Sequence, residues 1–471
     1  MTRPKVVLYN PRVEFYTMPL ALIALGSHLP RERYDVVIVD GRLESDPEAA
    51  VRAHLDDAIC VGVTVLTGAP IRDAVRMSRA IKAARPDLPV IWGGWHPSMF
   101  GTECLAETSV DVTVQAQGEV TFLEIVERLE RGDSLDGCLG CTYRDTGGTV
   151  RANDARPLAD INTFRAHDYT LIPVDRFYAL KGKPQLDYIT SQGCRFRCAF
   201  CADPFVYKRG WVGLSPERVG QEIETWWRRY AFTDVNFQDE TFFTQAPRVV
   251  AIAEEFIRRR LPISWAATMR ADQCVRLTDD ALRVCKQSGL RRVLVGVESG
   301  SPEMLKRIAK DITIEQVLLT AERCRALGLR VQFPFIVGFP GEDDESVAAS
   351  LSLAKRLRAM SPDFETHIFY FKPYPGSAIT QDAVDRGYTL PRSLDEWANF
   401  DFIGSAGPWV TGEKFRRVER FKFYQRLAWD RVPLWKRPVQ ALARWRCRND
   451  AYGFPLEKFV AERLRPVATM S

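Results

Sequence analysis

Cys194, Cys198 and Cys201 stand in the segment SQGCRFRCAFCADP with the spacing CxxxCxxC, directly after the apolar run LDYIT. Thiolate sulfur is a soft ligand that suits zinc and iron–sulfur clusters. A structural zinc site usually takes four ligands as two spaced pairs, so a remote Cys or His would have to complete one here. Three thiolates on their own suit a four-iron, four-sulfur cluster whose fourth iron keeps an open coordination position. An open iron can serve as a reaction centre. The remaining use of a thiol in a reducing compartment is packing. That is the reading for Cys60, Cys104, Cys274, Cys285, Cys324 and Cys447, which have no close partner in sequence. Cys138 and Cys141 form a CxxC inside GCLGCTYRDTGGTVRAND, a hairpin pattern with Gly147-Gly148 at its turn. Two ligands without a second pair again favour packing.

Regular elements must position these groups. Residues 186–380 alternate apolar strand segments with helices that open at Ser215-Pro216-Glu217, Thr278, Ser301-Pro302-Glu303 and Asp343. Each opening has a side-chain oxygen at the cap, and two have proline in the first turn, where its missing N–H is harmless. The strands LDYITSQG, DVNFQDE, ISWAATMR, RRVLVGVES, VQFPFIVGFP and FETHIFYFKPYP make six βα-type units, fewer than a complete eight-stranded barrel. In such barrels the chemistry sits at the carboxyl ends of the strands. Those ends carry Cys194, Asp239-Glu240, Arg270, Glu298-Ser299, Gly338 to Glu342 and Tyr374-Pro375-Gly376. Turn geometry explains the glycines but not the cysteines or Glu298.

Upstream, residues 5–130 read as five short apolar strands separated by helices, the pattern of a doubly wound parallel sheet. Such sheets bind ligands at their strands' carboxyl ends, where strand order reverses. Here those ends carry Leu66-Thr67-Gly68, Gly93-Gly94-Trp95-His96-Pro97 and Gly118-Glu119. No GxGxxG follows the first strand, so a dinucleotide site is unsupported. The expected layout is a Rossmann-like domain over 1–140, a linker over 141–185, the partial barrel over 186–380 and a mainly helical region over 381–471.

The 471 residues are 46% hydrophobic and 27% charged, which excludes collagenous, disordered and disulfide-scaffold classes. The N-terminus runs straight into a strand pattern, and no uncharged run of about 18 apolar residues occurs, so a cytoplasmic chain is expected. The formal charge of +5 is uneven. Residues 411–471 hold 15 Lys/Arg against 6 Asp/Glu, a net of +9, which leaves the body at −4 and no nucleic-acid partner expected. The tail interleaves its charges with Phe415, Phe421, Phe423, Trp429, Trp435 and Trp445, a pattern suited to a membrane surface, nucleic acid or an acidic partner. Helices packed on the body with solvated Arg faces also explain it, because Pro433, Pro438 and Pro455 interrupt any single amphipathic helix.

The cysteine spacing, on the loop after the first barrel strand, resembles that of the radical S-adenosylmethionine (radical SAM) superfamily. The resemblance continues through Phe200, FQDETF at 237–242, GVESGS at 296–301, GFPGE at 338–342 and PYPGS at 374–378. It implies a 4Fe-4S cluster on Cys194, Cys198 and Cys201, with S-adenosylmethionine chelating the open iron and cleaved to a 5′-deoxyadenosyl radical. Phe200 and the loop from Gly338 to Gly341 would border the adenine, and Asp239, Glu240, Arg270, Glu298 and Ser299 the ribose and methionine ends. The upstream sheet is similar to that of the cobalamin-binding subclass, which implies cobalamin at Leu66, Thr67, Gly68, Gly93, Gly94, His96, Gly118 and Glu119. The chain departs from the common cobalamin pattern: none of its five histidines, His28, His54, His96, His167 and His367, follows an Asp by two residues, so a cobalt without a histidine ligand is implied.

The function implied is a cobalamin-dependent radical methyltransferase. The same cofactors could serve an oxidative cyclase resembling the anaerobic magnesium-protoporphyrin monomethyl ester cyclase, and a non-enzymatic cobalamin or metal sensor is the third reading. A small-molecule substrate and a reductant such as flavodoxin or ferredoxin complete the set of partners. The last barrel strand would turn Glu365, His367, Phe369 and Phe371, or the residues alternating with them, toward the substrate, which favours a hydrophobic or planar molecule. No catalytic acid or base is assigned.

Overall fold

The computed structural model describes residues 3–14, 16–374, 376–400, 407–453 and 457. Pro375 of the PYPGS segment and, in the expected C-terminal region, residues 401–406, 454–456 (Pro455 among them) and 458–471 lie outside the described residues. The chain divides into two units, one of Met1–Thr268, Asp280–Leu290 and Tyr374–Phe402, the other of Met269–Asp279, Arg291–Pro373 and Ile403–Ser471.

The first unit opens with strands β1 (Lys5–Asn10), β2 (Asp35–Asp40), β3 (Ala58–Thr64), β4 (Val90–Gly93) and β5 (Val112–Val114), followed by β6 (Cys141–Arg144) and β7 (Val150–Ala152). They form one sheet in the order β2-β1-β3-β4-β5-β6-β7. The first five run parallel and the last two antiparallel. Helices cover both faces of the parallel part, which is why its strands read as unbroken apolar runs rather than alternating ones. Leu20–His28 and Glu119–Arg131 bury Leu22, Phe122 and Ile125 with Val6, Leu8 and Ile91 on one face. Pro70–Ala84 buries Ile71, Ala74 and Ile81 with Val7, Val63 and Trp92 on the other. Gly62 on β3 makes the first contact close, since a Cβ there would stand 2.8 Å from Leu8 Cδ2 and 3.2 Å from the Phe122 ring. Strand order reverses between β1 and β3, which opens a crevice at their carboxyl ends.

The hairpin expected at Gly147-Gly148 is formed by β6 and β7. Asp145 accepts from the backbone N–H groups of Gly147 and Thr149, and Gly148 turns the chain with φ +83°. The hairpin extends the sheet to Ala152, beyond the expected domain end at residue 140. Cys138 and Cys141 are buried here in the apolar core, a packing role as expected.

One contribution to this core carries no local signal in the sequence. Helix Leu394–Ala398 places Trp397 and Phe400 on the same face as Pro70–Ala84, against Phe100 and His96. Part of the expected C-terminal region is therefore structural material of the N-terminal sheet.

The rest of the first unit holds β8 (Gln185–Tyr188), the small antiparallel pair β9 (Ser191–Gly193) and β10 (Trp211–Gly213), β11 (Asp234–Phe237) and β12 (Ser264–Met269). Strands β8, β11 and β12 pair in parallel. Helix Pro216–Tyr230 starts where expected, its Ser215 Oγ accepting from the N–H of Arg218 at 3.3 Å. The second unit holds β13 (Leu290–Val295), β14 (Arg330–Val337) and β15 (Phe364–Tyr370), again parallel. All six strands expected for the barrel are thus present. Ser301 and Asp343 cap the helices Pro302–Arg307 and Asp344–Met360. Helices Gly412–Trp429 and Arg437–Arg448 give the second unit its helical C-terminus.

Trp397 is fully packed, so Trp397→Ala should destabilise the protein by about 3–5 kcal/mol. A lowered urea midpoint, with the signal of the N-terminal sheet lost first, checks that residues 394–400 belong to this core.

Candidate cofactor cavity and cysteine loop

Eight of the eleven cysteines are buried, and Cys194, Cys198 and Cys201 are the three that are not. Their loop is fixed from behind. Asp239, fully buried at the end of β11, accepts from the backbone N–H and the hydroxyl of Thr190, the latter at 2.6 Å, and from the Ser191 hydroxyl. Arg248 donates to the carbonyls of Thr190 and Leu214, both at 2.8 Å, and its charge opposes the upward shift that burial imposes on the Asp239 carboxyl. Gly193, immediately before Cys194, has φ +79°, and a Cβ there would stand 2.4 Å from the Gly210 carbonyl oxygen. A turn bonds the Cys201 N–H to the Cys198 carbonyl at 3.1 Å around half-buried Phe200.

Among the described residues no three His, Cys, Asp or Glu side chains close around a single ion. A polynuclear cluster does not ask for that, because each thiolate binds a different iron. Burial pushes the Cys194 thiol up to about 11 and Cys201 well above the usual thiol range. These thiols would ionise only beside a compensating cation, which iron provides.

A cavity of about 470 Å³ lies entirely within the first unit. One side is the carboxyl edge of the parallel sheet, with Asn10, Thr64, Leu66, Gly93, Gly94, Gly118 and Glu119. An apolar cleft runs inward between Gly62, Ile91 and Val114 of the strands and Leu22, Leu25 and Phe122 of the helices. The remaining wall comes from the cysteine-bearing part of the unit, with Gln192, Tyr207, Gln238 and Glu240. Gly94 turns at φ +99° with its Cα against the Val65 backbone, where a side chain would sit 3.0 Å from the carbonyl oxygen. A Cβ at Gly93 would meet only Val114, at 3.9 Å, so the backbone there is open to a large planar ligand.

Of the expected cobalamin contacts, Leu66, Gly93, Gly94, Gly118 and Glu119 line this cavity, while Thr67, Gly68 and His96 do not. His96 is instead buried behind it, its Nδ1 3.1 Å from Thr67 Oγ1 and its ring against Phe100 and Trp397. Burial holds its pKa down at about 4. Glu119 accepts from Gln192 Nε2 at 2.6 Å, and Gln117 donates to Gln192 at 2.7 Å, so the loop before Cys194 is bonded directly to the sheet's last βα turn. Gln192, Tyr207 and Gln238 were not expected as site residues; Gln192 stands two positions before the first cysteine, whereas Tyr207 carries no sequence signal.

Among the expected S-adenosylmethionine contacts of this unit, Asp239 and Glu240 differ sharply. The Asp239 oxygens are engaged by Thr190 and Ser191, which makes it a structural clamp. Glu240 lines the cavity with a buried Oε2 that has no hydrogen-bond partner, and its carboxyl is pushed far above the usual range, first by burial and then by the charge of Asp203. An acceptor in that state fits a ligand ammonium or hydroxyl.

In the second unit, Arg270 is held by Asp272 at 2.9 Å and by the Lys310 carbonyl. Glu298 adopts φ +67° and pairs with Lys310 Nζ at 2.7 Å. Gly296 leaves room for that pair, since a Cβ would stand 2.4 Å from the Glu298 carboxylate. Ser299 is buried against the Ser350 hydroxyl at 3.2 Å. Gly338 and Gly341 turn at φ +76° and +71°, and Glu342 accepts from the N–H groups of Gly338 and Phe339, shaping the loop as a cradle of backbone. On β15, Glu365 and His367 are half-buried and Phe369 is exposed, whereas Phe371 is buried against Phe339. Phe371 thus departs from the expected row because the strand ends at Tyr370 and the chain then packs on the Gly338–Gly341 loop.

Comparison with known proteins defines the class. The Radical SAM superfamily description matches residues 188–354 and the B12 binding domain matches residues 6–126. An uncharacterized methyltransferase of Pyrococcus horikoshii is 31% identical over 392 residues, covering 81% of this chain and 82% of the relative. The anaerobic magnesium-protoporphyrin IX monomethyl ester cyclase of Rubrivivax gelatinosus is 26% identical over 424 residues, 81% of this chain and 73% of that one. The solved radical S-adenosylmethionine methyltransferase TsrM from Kitasatospora setae, with cobalamin and a 4Fe-4S cluster bound, shares the fold with a TM-score of 0.69 at 18% identity, over 87% of this chain and 85% of its own. The chain belongs to the radical SAM superfamily, and more narrowly to its cobalamin-binding enzymes. Its cofactors are a 4Fe-4S cluster, S-adenosylmethionine and cobalamin, and the thiol loop, the open glycine backbone and the unpartnered Glu240 oxygen fit them.

Two measurements check this geometry. Cys198→Ala should bring iron and sulfide after reconstitution down to background, while Cys285→Ala keeps both, as analysis of anaerobically purified protein would show. The His96 imidazole is neutral in the fold, with its pKa below the unfolded value of 6.5, so its contribution to stability is complete above pH 6.5 and is lost as pH falls toward about 4. Thermal melts across that window should show a steeper loss for the wild type than for His96→Asn.

Proposed function

We propose that the protein is a methyltransferase that abstracts hydrogen from an unactivated carbon of a small, partly apolar or planar molecule and replaces it with a methyl group. The observation that supports this reading best is the make-up of the 470 Å³ cavity, where the strand-end glycines face Gln192, Tyr207, Gln238 and Glu240 from the cysteine-bearing part of the same unit. When bound, the cluster and S-adenosylmethionine supply a 5′-deoxyadenosyl radical and cobalamin supplies the methyl group.

The chain's own residues bind, orient and exclude water. Cys194, Cys198 and Cys201 would hold the cluster. Glu240 would accept from the ammonium or ribose of S-adenosylmethionine. Leu66, Gly93, Gly94, Gly118 and Glu119 would bear the corrin, while the cleft lined by Gly62, Ile91 and Phe122 keeps water from whatever enters it. His96 would act from behind, by holding the Thr67 turn. On the substrate side, His367 and Glu365 are the titratable groups on the open face of β15, beside exposed Phe369. Their neighbour Gln332 donates to Glu365 at 3.0 Å, and His367 and Gln332 keep that carboxyl ionised, down to about 2. A reductant of the flavodoxin or ferredoxin kind would deliver the electron, and the basic, aromatic C-terminal helices suit a membrane surface.

A second reading keeps the same residues and replaces methyl transfer by oxidative ring closure. It is favoured by the similarity to the magnesium-protoporphyrin cyclase over 81% of this chain. Incubation with reductant, a candidate substrate and methyl-labelled S-adenosylmethionine separates the two. Label in the product, together with 5′-deoxyadenosine, is expected for the methyltransferase; an unlabelled oxygenated product would establish the cyclase. Absence of 5′-deoxyadenosine under strong reductant would rule out hydrogen abstraction.

A further inference from the structure

Helix Gly412–Trp429 is packed and buries Phe421, whereas Trp435 and Trp445, further along the tail, are exposed. The short turn Leu434–Lys436 runs into helix Arg437–Arg448, and together they expose Leu434 by 70%, Trp435 by 75%, Val439 by 44%, Leu442 by 41% and Trp445 by 54%. The last four are spaced by four, three and three residues, so they stand in one row along the helix.

The opposite side of this helix is seated within its own unit. Ala443 and Cys447 are buried, Gln440 Nε2 donates to the Asp430 carbonyl at 2.8 Å, and Arg444 Nε donates to the Ala428 carbonyl at 2.7 Å. The row therefore faces outward from an anchored element. The segment 431–448 also contains six basic residues, Arg431, Lys436, Arg437, Arg444, Arg446 and Arg448, and no acidic residue. Arg437, Arg444 and Arg448 recur on one flank of the apolar row, and Lys436 lies over the Trp435 ring at 4.8 Å.

We propose that Leu434–Arg448 docks the protein on an anionic lipid surface, the apolar row entering the boundary between headgroups and acyl chains and the basic flank meeting lipid phosphates. An outward row of tryptophan and aliphatic residues edged by arginine is the composition that lies in such an interface. Charge decides against a second copy of the chain as occupant, because self-association through this face would bring two acid-free basic segments together. A single-stranded nucleic acid would call for separated stacking aromatics along a groove, and here aliphatic residues fill the space between the tryptophans on a convex helix. No helix among the described residues is long and apolar enough to cross a membrane, so the contact is peripheral.

Flotation of the cofactor-loaded, full-length protein with vesicles tests this. Equimolar phosphatidylglycerol and phosphatidylcholine vesicles should carry the protein up at low salt, pure phosphatidylcholine vesicles should carry far less, and high salt should release it. The double variant Trp435→Ser, Trp445→Ser should weaken vesicle binding by roughly tenfold or more. Arg437→Glu with Arg448→Glu should weaken it by at least about fivefold per residue. Iron content and melting temperature of both variants should match the wild type, since the replaced side chains point to solvent. Failure of the wild type to float with anionic vesicles would overturn the proposal. So would a tryptophan variant that floats like the wild type, or one whose only change is a dimer becoming a monomer in light scattering or a lost affinity for a single-stranded oligonucleotide.

Discussion

A carboxylate with no access to water holds the cysteine loop in place. Asp239 is stripped of solvent just beyond β11, and its desolvation is offset by the charge of Arg248 and by the donors that Thr190 and Ser191 turn toward it. A buried acceptor deprived of such donors costs about 1–3 kcal/mol, and more when charged. The chain between β8 and Cys194 consequently has one arrangement that satisfies the group. Arg248 closes the arrangement from the other side of Thr190, and Gln192 then reaches Glu119. Three thiols left half open to solvent would scatter on a free loop. Here Asp239, Arg248 and Glu119 hold the chain that leads into it.

Backbone geometry does comparable work in both units. Gly94 and Gly193 in the first and Gly338 and Gly341 in the second have positive φ, which lets peptide groups approach where a side chain would collide. Glu298 takes the same kind of conformation without being glycine, at a cost of order 1–3 kcal/mol, and its ion pair with Lys310 and its backbone bonds to β14 hold it there.

Much of the architecture was legible in the residue pattern because the signals are local. Alternating apolar segments and caps such as Ser215, Ser301 and Asp343 depend on neighbours within a few positions, and the cysteine spacing is itself a local code. The cavity was legible in part: glycines at strand ends announced one wall, while Tyr207 enters only through tertiary placement. His96 illustrates the opposite error of emphasis. A histidine in a glycine-rich strand-end turn reads as a ligand contact, yet Phe100 and Trp397 cover it, and Trp397 lies three hundred residues downstream. Asp239 and Glu240 are adjacent carboxylates with different fates: Thr190 and Ser191 donate to the first, while the second lines the cavity.

Trp397 and Phe400 complete the core of a sheet whose first strand begins at Lys5. That arrangement imposes an order on synthesis. At about 5–20 residues per second, some 15–60 seconds pass between the emergence of the His96 turn and that of the segment that covers it. During that interval the face bearing His96 and Phe100 is an uncovered apolar surface on a nascent chain, so the enzyme depends on whatever shields such surfaces during translation before it can depend on any cofactor.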